Sequence, residues 1–64
     1  MELNKLYDIA EREKIYVTEQ RLEEAKGMYI TCNNTDVILM NKNAINGNAE
    51  ELCTLAEEMR TLLL

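Results

Sequence analysis

Apolar residues fall at Leu3, Leu6, Tyr7 and Ala10 near the start of the chain, the i, i+3, i+4, i+7 spacing of one stripe on an amphipathic helix. A helix is expected over residues 2–14, with Asp8, Glu11, Arg12 and Glu13 toward water. The period then drops to two. Ile15, Tyr16, Val17 and Thr18 alternate and are mostly β-branched or aromatic, which predicts a short strand. After a polar stretch from Gln20 to Lys26, read as a turn or one helical turn ending at Gly27, Met28, Ile30 and Cys32 alternate with Tyr29 and Thr31, and the cluster Asn33-Asn34-Thr35-Asp36 supplies the turn chemistry of a hairpin. The next run, Val37-Ile38-Leu39-Met40, is apolar on both faces, as expected of a strand covered on both sides or lying in an interface. A polar loop over 41–47 follows. Asn48 with Glu51 three residues on reads as a capping-box start for a second helix. Its apolar stripe is expected at Ala49, Leu52, Cys53, Ala56, Met59 and Leu63, widened by Leu55 and Leu62, and Leu62-Leu63-Leu64 end the chain as three leucines in need of cover.

These elements predict one α+β domain over residues 1–64. A three-stranded antiparallel sheet lies between an amino-terminal and a carboxy-terminal helix, in the order α-β-β-β-α, with both helices on one face. A chain of 64 residues buries only about 60% of the surface that its unfolded form exposes, so help from a partner is expected. The uncovered apolar surface predicts a homodimer through the second helix or the strand Val37 to Met40. Twelve acidic residues against seven basic ones, a formal charge of −5, argue against nucleic acid as a partner. Two cysteines do not make a disulfide-dense secreted module, and no stretch supplies the roughly 20 apolar residues of a membrane span, so a cytoplasmic protein without a membrane partner is expected.

The second helix carries the most specific chemistry in the chain, by what it lacks. Thr54 to Thr61 read T-L-A-E-E-M-R-T, close to the H-E-x-x-H helix in which two imidazoles one turn apart hold zinc and the glutamate deprotonates its water. Glu57 stands at the first histidine position, Glu58 at the general-base position and Thr61 at the second histidine position. The chain has no histidine. Adjacent helix positions point about 100° apart, so Glu57 and Glu58, even with Glu51, read as a solvated acidic face better than as a metal site. Cys32 and Cys53 lack a histidine base or a Cys-x-x-Cys spacing and are expected to pack as small core residues. Met28, Met40 and Met59 are expected to fill gaps in the core, while Tyr7, Tyr16 and Tyr29 can edge the core or line an interface.

The whole order of elements, with Cys53-Thr54-Leu55-Ala56-Glu57-Glu58-Met59 following Val37-Ile38-Leu39-Met40-Asn41, resembles the amino-terminal part of the ImmA/IrrE family of zinc metallopeptidases. That resemblance covers essentially the full chain. It implies an origin in a phage or mobile element and a history of cleaving or antagonising repressors. With only Glu58 at a matching catalytic position and both zinc-ligand histidines absent, it also implies a truncated, catalytically inactive relative with no metal, no cofactor and no catalytic residue, uncharacterised in role. Arg60-Thr61-Leu62-Leu63-Leu64 is what codons for Gly-His-Tyr-Tyr-Cys can spell one base out of frame, an expectation that the gene's nucleotides can test. A small module that binds a repressor or another phage protein is the alternative.

Overall fold

The computed structural model describes residues 2–63. Helix α1 runs over Leu3–Arg12, strand β1 over Ile15–Glu19, β2 over Gly27–Cys32 and β3 over Thr35–Met40; a short 3-10 turn at Lys42–Ala44 leads to helix α2 over Gly47–Leu63. The fold is α+β in the order read from the sequence. Helix α1 ends because Glu13 and Lys14 turn their amide groups back onto Ile9 and Glu11, and Lys14 adopts the left-handed conformation (φ 59°) that closes a helix. Asn33 and Asn34 both have positive φ, 52° and 64°, which is the geometry of the two-residue turn that joins twisted antiparallel strands.

One feature of the sheet differs from the expected antiparallel arrangement. Strand β2 pairs antiparallel with β3, but β1 pairs parallel with β3, so the sheet is mixed and its order is β1-β3-β2. The tight turn makes β2 and β3 neighbours and leaves β3 one free edge. Because β3 is the strand with apolar residues on both faces, placing it at the centre shields more of its surface than an edge position. Residues 20–26 then cross from β1 to β2 past the end of β3. There, Gln20 donates its amide to the Met40 carbonyl (3.0 Å), and the Asn41 amide donates to the Lys26 carbonyl (2.9 Å). The buried Asn41 side chain completes the crossover by donating Nδ2 to the Leu22 and Ala25 carbonyls, at 2.9 and 3.1 Å.

Both helices pack on the sheet face that carries Ile15, Ile38 and Met40. Leu6 and Ala10 of α1 and Leu55 and Met59 of α2 complete the buried core. The α1 stripe is the one that the spacing predicts. In α2 the buried face is rotated from the expected stripe: Leu52, Leu55, Met59 and Leu62 face inward, while Ala49, Cys53 and Ala56 are exposed. The large side chains follow a clean i, i+3, i+7, i+10 stripe, and burying them removes more apolar area than burying two alanines and a cysteine. Glu50 rather than Glu51 reaches back at the helix start, accepting the Asn46 amide at 3.2 Å, so the bond falls two residues before the expected Asn48. Of the terminal leucines, Leu62 packs against the core, whereas Leu64 and the side chain of Leu63 lie outside the described residues.

Two substitutions test this account with opposite signs in thermal or urea unfolding followed by circular dichroism. Asn41→Ala strands two carbonyls of the crossover and is expected to cost about 2 kcal/mol. Lys14→Gly relieves a left-handed position on the surface and is expected to add about 1 kcal/mol.

Candidate functional site

Helix α2 brings Glu57 and Thr61 to one exposed face and turns Glu58 about 100° away from it. Glu57 and Thr61 are exposed one turn apart, and the Thr61 hydroxyl donates back to the Glu57 carbonyl (3.3 Å) rather than outward. Glu58 is half-buried and turned toward β2. The reason is Gly27: a Cβ at that position would lie 2.8 Å from Thr54 Cγ2 and 3.3 Å from Glu58 Cγ, so the bare backbone of β2 lets the helix settle against the sheet there. Thr54 is buried in this contact. The three positions that would assemble a zinc centre therefore hold two exposed oxygen-bearing side chains and one glutamate whose stem packs against a strand. Among the described residues no group of three or more His, Cys, Asp or Glu side chains is placed to share a metal ion.

The polar side chains that do converge lie on the other side of the sheet end. Tyr7 of α1 donates its hydroxyl to Glu51 Oε2 of α2 at 2.6 Å, and the Lys42 ammonium stands 3.7 Å from the same oxygen and 3.2 Å from Glu19 Oε1. This cluster ties α1, β1, the loop after β3 and α2 together. Burial raises the Tyr7 pKa well above the ordinary tyrosine value, and the hydrogen bond and negative charge of Glu51, with Glu19 behind it, push it the same way. An open depression of about 390 Å³ beside the cluster is lined by Tyr7, Val17, Glu19 and Lys42. Its geometry is that of a cross-link, since each carboxylate is already engaged by Lys42 or Tyr7. On the far side of α2, Lys26 pairs with Glu50 at 2.8 Å, and this bond, followed by the Asn46 amide, holds the Glu50 carboxyl below its usual pKa.

A shallow groove of about 660 Å³ runs between α1 and the outer edge of β1, lined by Tyr7, Ala10, Glu11, Ile15 and Val17 among others. The opposite sheet face carries no helix and no charged residue from any strand. Tyr16, Val37 and Ile30 form one row across it, and Thr18, Leu39 and Met28 a second. Tyr16 is 69% exposed, Met28 43% and Ile30 38%.

Several sequence expectations are corrected at this level. Cys32 and Cys53 are both free and exposed, not core residues, because Cys32 falls on the open sheet face and Cys53 on the outer side of the rotated helix. Met40 and Met59 fill the core as expected, whereas Met28 does not. The tyrosines divide by environment: Tyr7 reaches across to Glu51, Tyr29 bonds Thr31 and Asp36, and Tyr16 stands exposed. The role of Glu51 leaves no local signal, since its partners are 44 and 9 residues away in sequence. Gly27 carried a signal of its own, a glycine at the first position of a strand.

No helix among the described residues is long and apolar enough to cross a membrane. In comparisons with known proteins, no family model, curated protein or solved structure matches the chain.

Tyr7→Phe removes the hydroxyl that joins the two helices and is expected to cost about 1–2 kcal/mol at neutral pH, measured by urea unfolding. The pH dependence has a definite sign. A tyrosine whose folded pKa is raised contributes fully below about pH 10 and loses that contribution as the pH climbs further. The gap between wild type and Tyr7→Phe is therefore expected to narrow above that pH, and a gap that widens there contradicts the assignment.

Proposed function

We propose that the chain is a catalytically inactive relative of the ImmA/IrrE-type metallopeptidases, a cytoplasmic protein of phage or mobile-element descent that carries out no hydrolysis. The observation that supports this most directly is the chemistry at the positions of the family's zinc machinery: Glu57 and Thr61, exposed one turn apart, stand where the two histidines would, the chain has no histidine, and Glu58 packs toward Gly27. A lone glutamate has no metal-bound water to deprotonate.

A second reading, a small protein-interaction module that docks on a repressor or another phage protein, is favoured by the uncovered sheet face with its exposed Tyr16, Met28 and Ile30. Such a face is the kind of surface that soluble monomers seldom leave open. The two readings are compatible, since loss of chemistry leaves a docking surface intact.

Elemental analysis of untagged protein dialysed against zinc tests the first reading. No stoichiometric metal is expected, and Glu58→Gln is expected to leave metal content and stability near wild-type values. One tightly held ion per chain, lost in Glu58→Gln, overturns it.

A further inference from the structure

We propose that Asn46-Gly47, at the entry to α2, is a self-modification site, where the Asn46 side-chain amide is converted through a cyclic imide into aspartate and isoaspartate with water as the only co-reactant. The inference does not depend on the functional reading above. Asparagine is chemically labile where the next backbone nitrogen can reach its side-chain carbonyl carbon. Three things prevent that attack: a following side chain that crowds the ring, a hydrogen bond that holds the attacking N–H, and burial that keeps water and base away. None of them operates here. Asn46-Gly47 is the one Asn-Gly pair in the chain. Gly47 has no Cβ, and one built there would meet no heavy atom within 4 Å. Its φ of 87° is a conformation that glycine adopts without strain. As the first residue of α2 its N–H lies outside the intrahelical ladder, and among the described residues no backbone carbonyl takes it. Asn46 and Gly47 are both exposed.

The step balances without an oxidant or an enzyme. The Gly47 nitrogen gives its proton to solvent base and attacks Asn46 Cγ, closing a five-membered ring; the Cγ–Nδ2 bond breaks, and ammonia leaves with a proton taken from solvent. Water then opens the imide. Attack at the side-chain carbon restores the main chain and leaves aspartate, whereas attack at the main-chain carbon leaves isoaspartate, in which the chain runs through the side chain and is one methylene longer. Either product adds one negative charge to a chain of formal charge −5. Every other asparagine precedes a residue with a side chain, and the fold shields several further: Asn4 and Asn48 lie within helices, and Asn41 is buried with Nδ2 held by two carbonyls. The reaction falls where α2 is tied to the approach to β2. The Asn46 amide donates to Glu50 Oε1 at 3.2 Å, and the same oxygen pairs with Lys26 at 2.8 Å. Aspartate keeps this geometry and sets its charge at a helix start, where the helix dipole favours it. Isoaspartate lengthens the main chain at that point and draws the amide away from Glu50.

The 64-residue chain is aged in mildly alkaline buffer, folded and in urea, and mapped by peptide mass spectrometry with an enzymatic assay for isoaspartate. In the folded protein a mass gain of about 1 Da is expected at Asn46 before any other asparagine, at a rate within about tenfold of that in urea. Isoaspartate is expected among the products. Gly47→Ala is expected to slow the conversion about tenfold or more, because its Cβ crowds the ring. The comparison with urea needs no variant, so it stands even where Gly47→Ala disturbs the start of α2. Asn46→Asp is expected to melt at or above the wild-type temperature, and the isoaspartate form, separated by its extra charge, below it. The proposal is overturned by conversion more than about tenfold slower in the folded protein, by first reaction at another asparagine, or by aspartate without isoaspartate. An isoaspartate form as stable as Asn46→Asp overturns the account of its effect on α2.

Discussion

The amide of Asn41 closes the crossover that allows β3 to sit at the centre of the sheet, and most of the architecture follows from that placement. Residues 20–26 must leave β1, pass the end of β3 and begin β2 on its far side, and a polar loop doing so over a core needs its carbonyls satisfied. Asn41 supplies two donors to Leu22 and Ala25 from a side chain that is itself buried, while its backbone amide takes Lys26. Its own Oδ1 is buried without a partner among the described residues, a cost accepted for the two bonds on the other side of the amide. Aspartate could not replace it, since an ionised carboxylate accepts hydrogen bonds and offers none to those carbonyls.

With the sheet ordered in this way, one face carries every buried strand residue and the other carries none. The helices settle on the first face in a division of labour, α1 against β1 and α2 against β2 and β3. They meet each other through Tyr7 and Glu51. The consequence for α2 is geometric. Its inward face is spent on Leu52, Leu55, Met59 and the Gly27 contact, which commits Glu58 to the sheet side and leaves Glu57 and Thr61 outside.

The secondary structure was legible because each element has a clear period: Leu3 to Ala10 at helical spacing, Met28 to Cys32 alternating, Asn33-Asn34 at the turn. That β3 is apolar on both faces could be read from Val37 to Met40, although only the face of Ile38 and Met40 is covered by helices. What could not be read is pairing. Whether β1 joins β2 or the far edge of β3 depends on Asn41 meeting carbonyls 16 and 19 residues earlier, and no local pattern encodes that meeting. The burial of cysteine was misjudged for a related reason. Periodicity locates an apolar stripe, but where two stripes overlap, as in α2, the volumes of Leu55 and Met59 decide which one turns inward. At the motif helix, residue identity was more informative than any geometry, because the absence of histidine is visible without a structure.

The parallel pairing of β1 with β3 also sets a timetable. Partners in the β2–β3 hairpin are 3 to 13 residues apart, whereas Ile15 and Asp36 are 21 apart, and closing the longer loop costs more chain entropy before any contact repays it. The hairpin can form early, and α2 can condense on it through residues that follow directly. The amino-terminal segment, α1 with β1, docks last on an edge that must wait for it. Strand β1 has nothing to pair with until β3 is in place, so this small domain cannot begin to fold from α1 and β1.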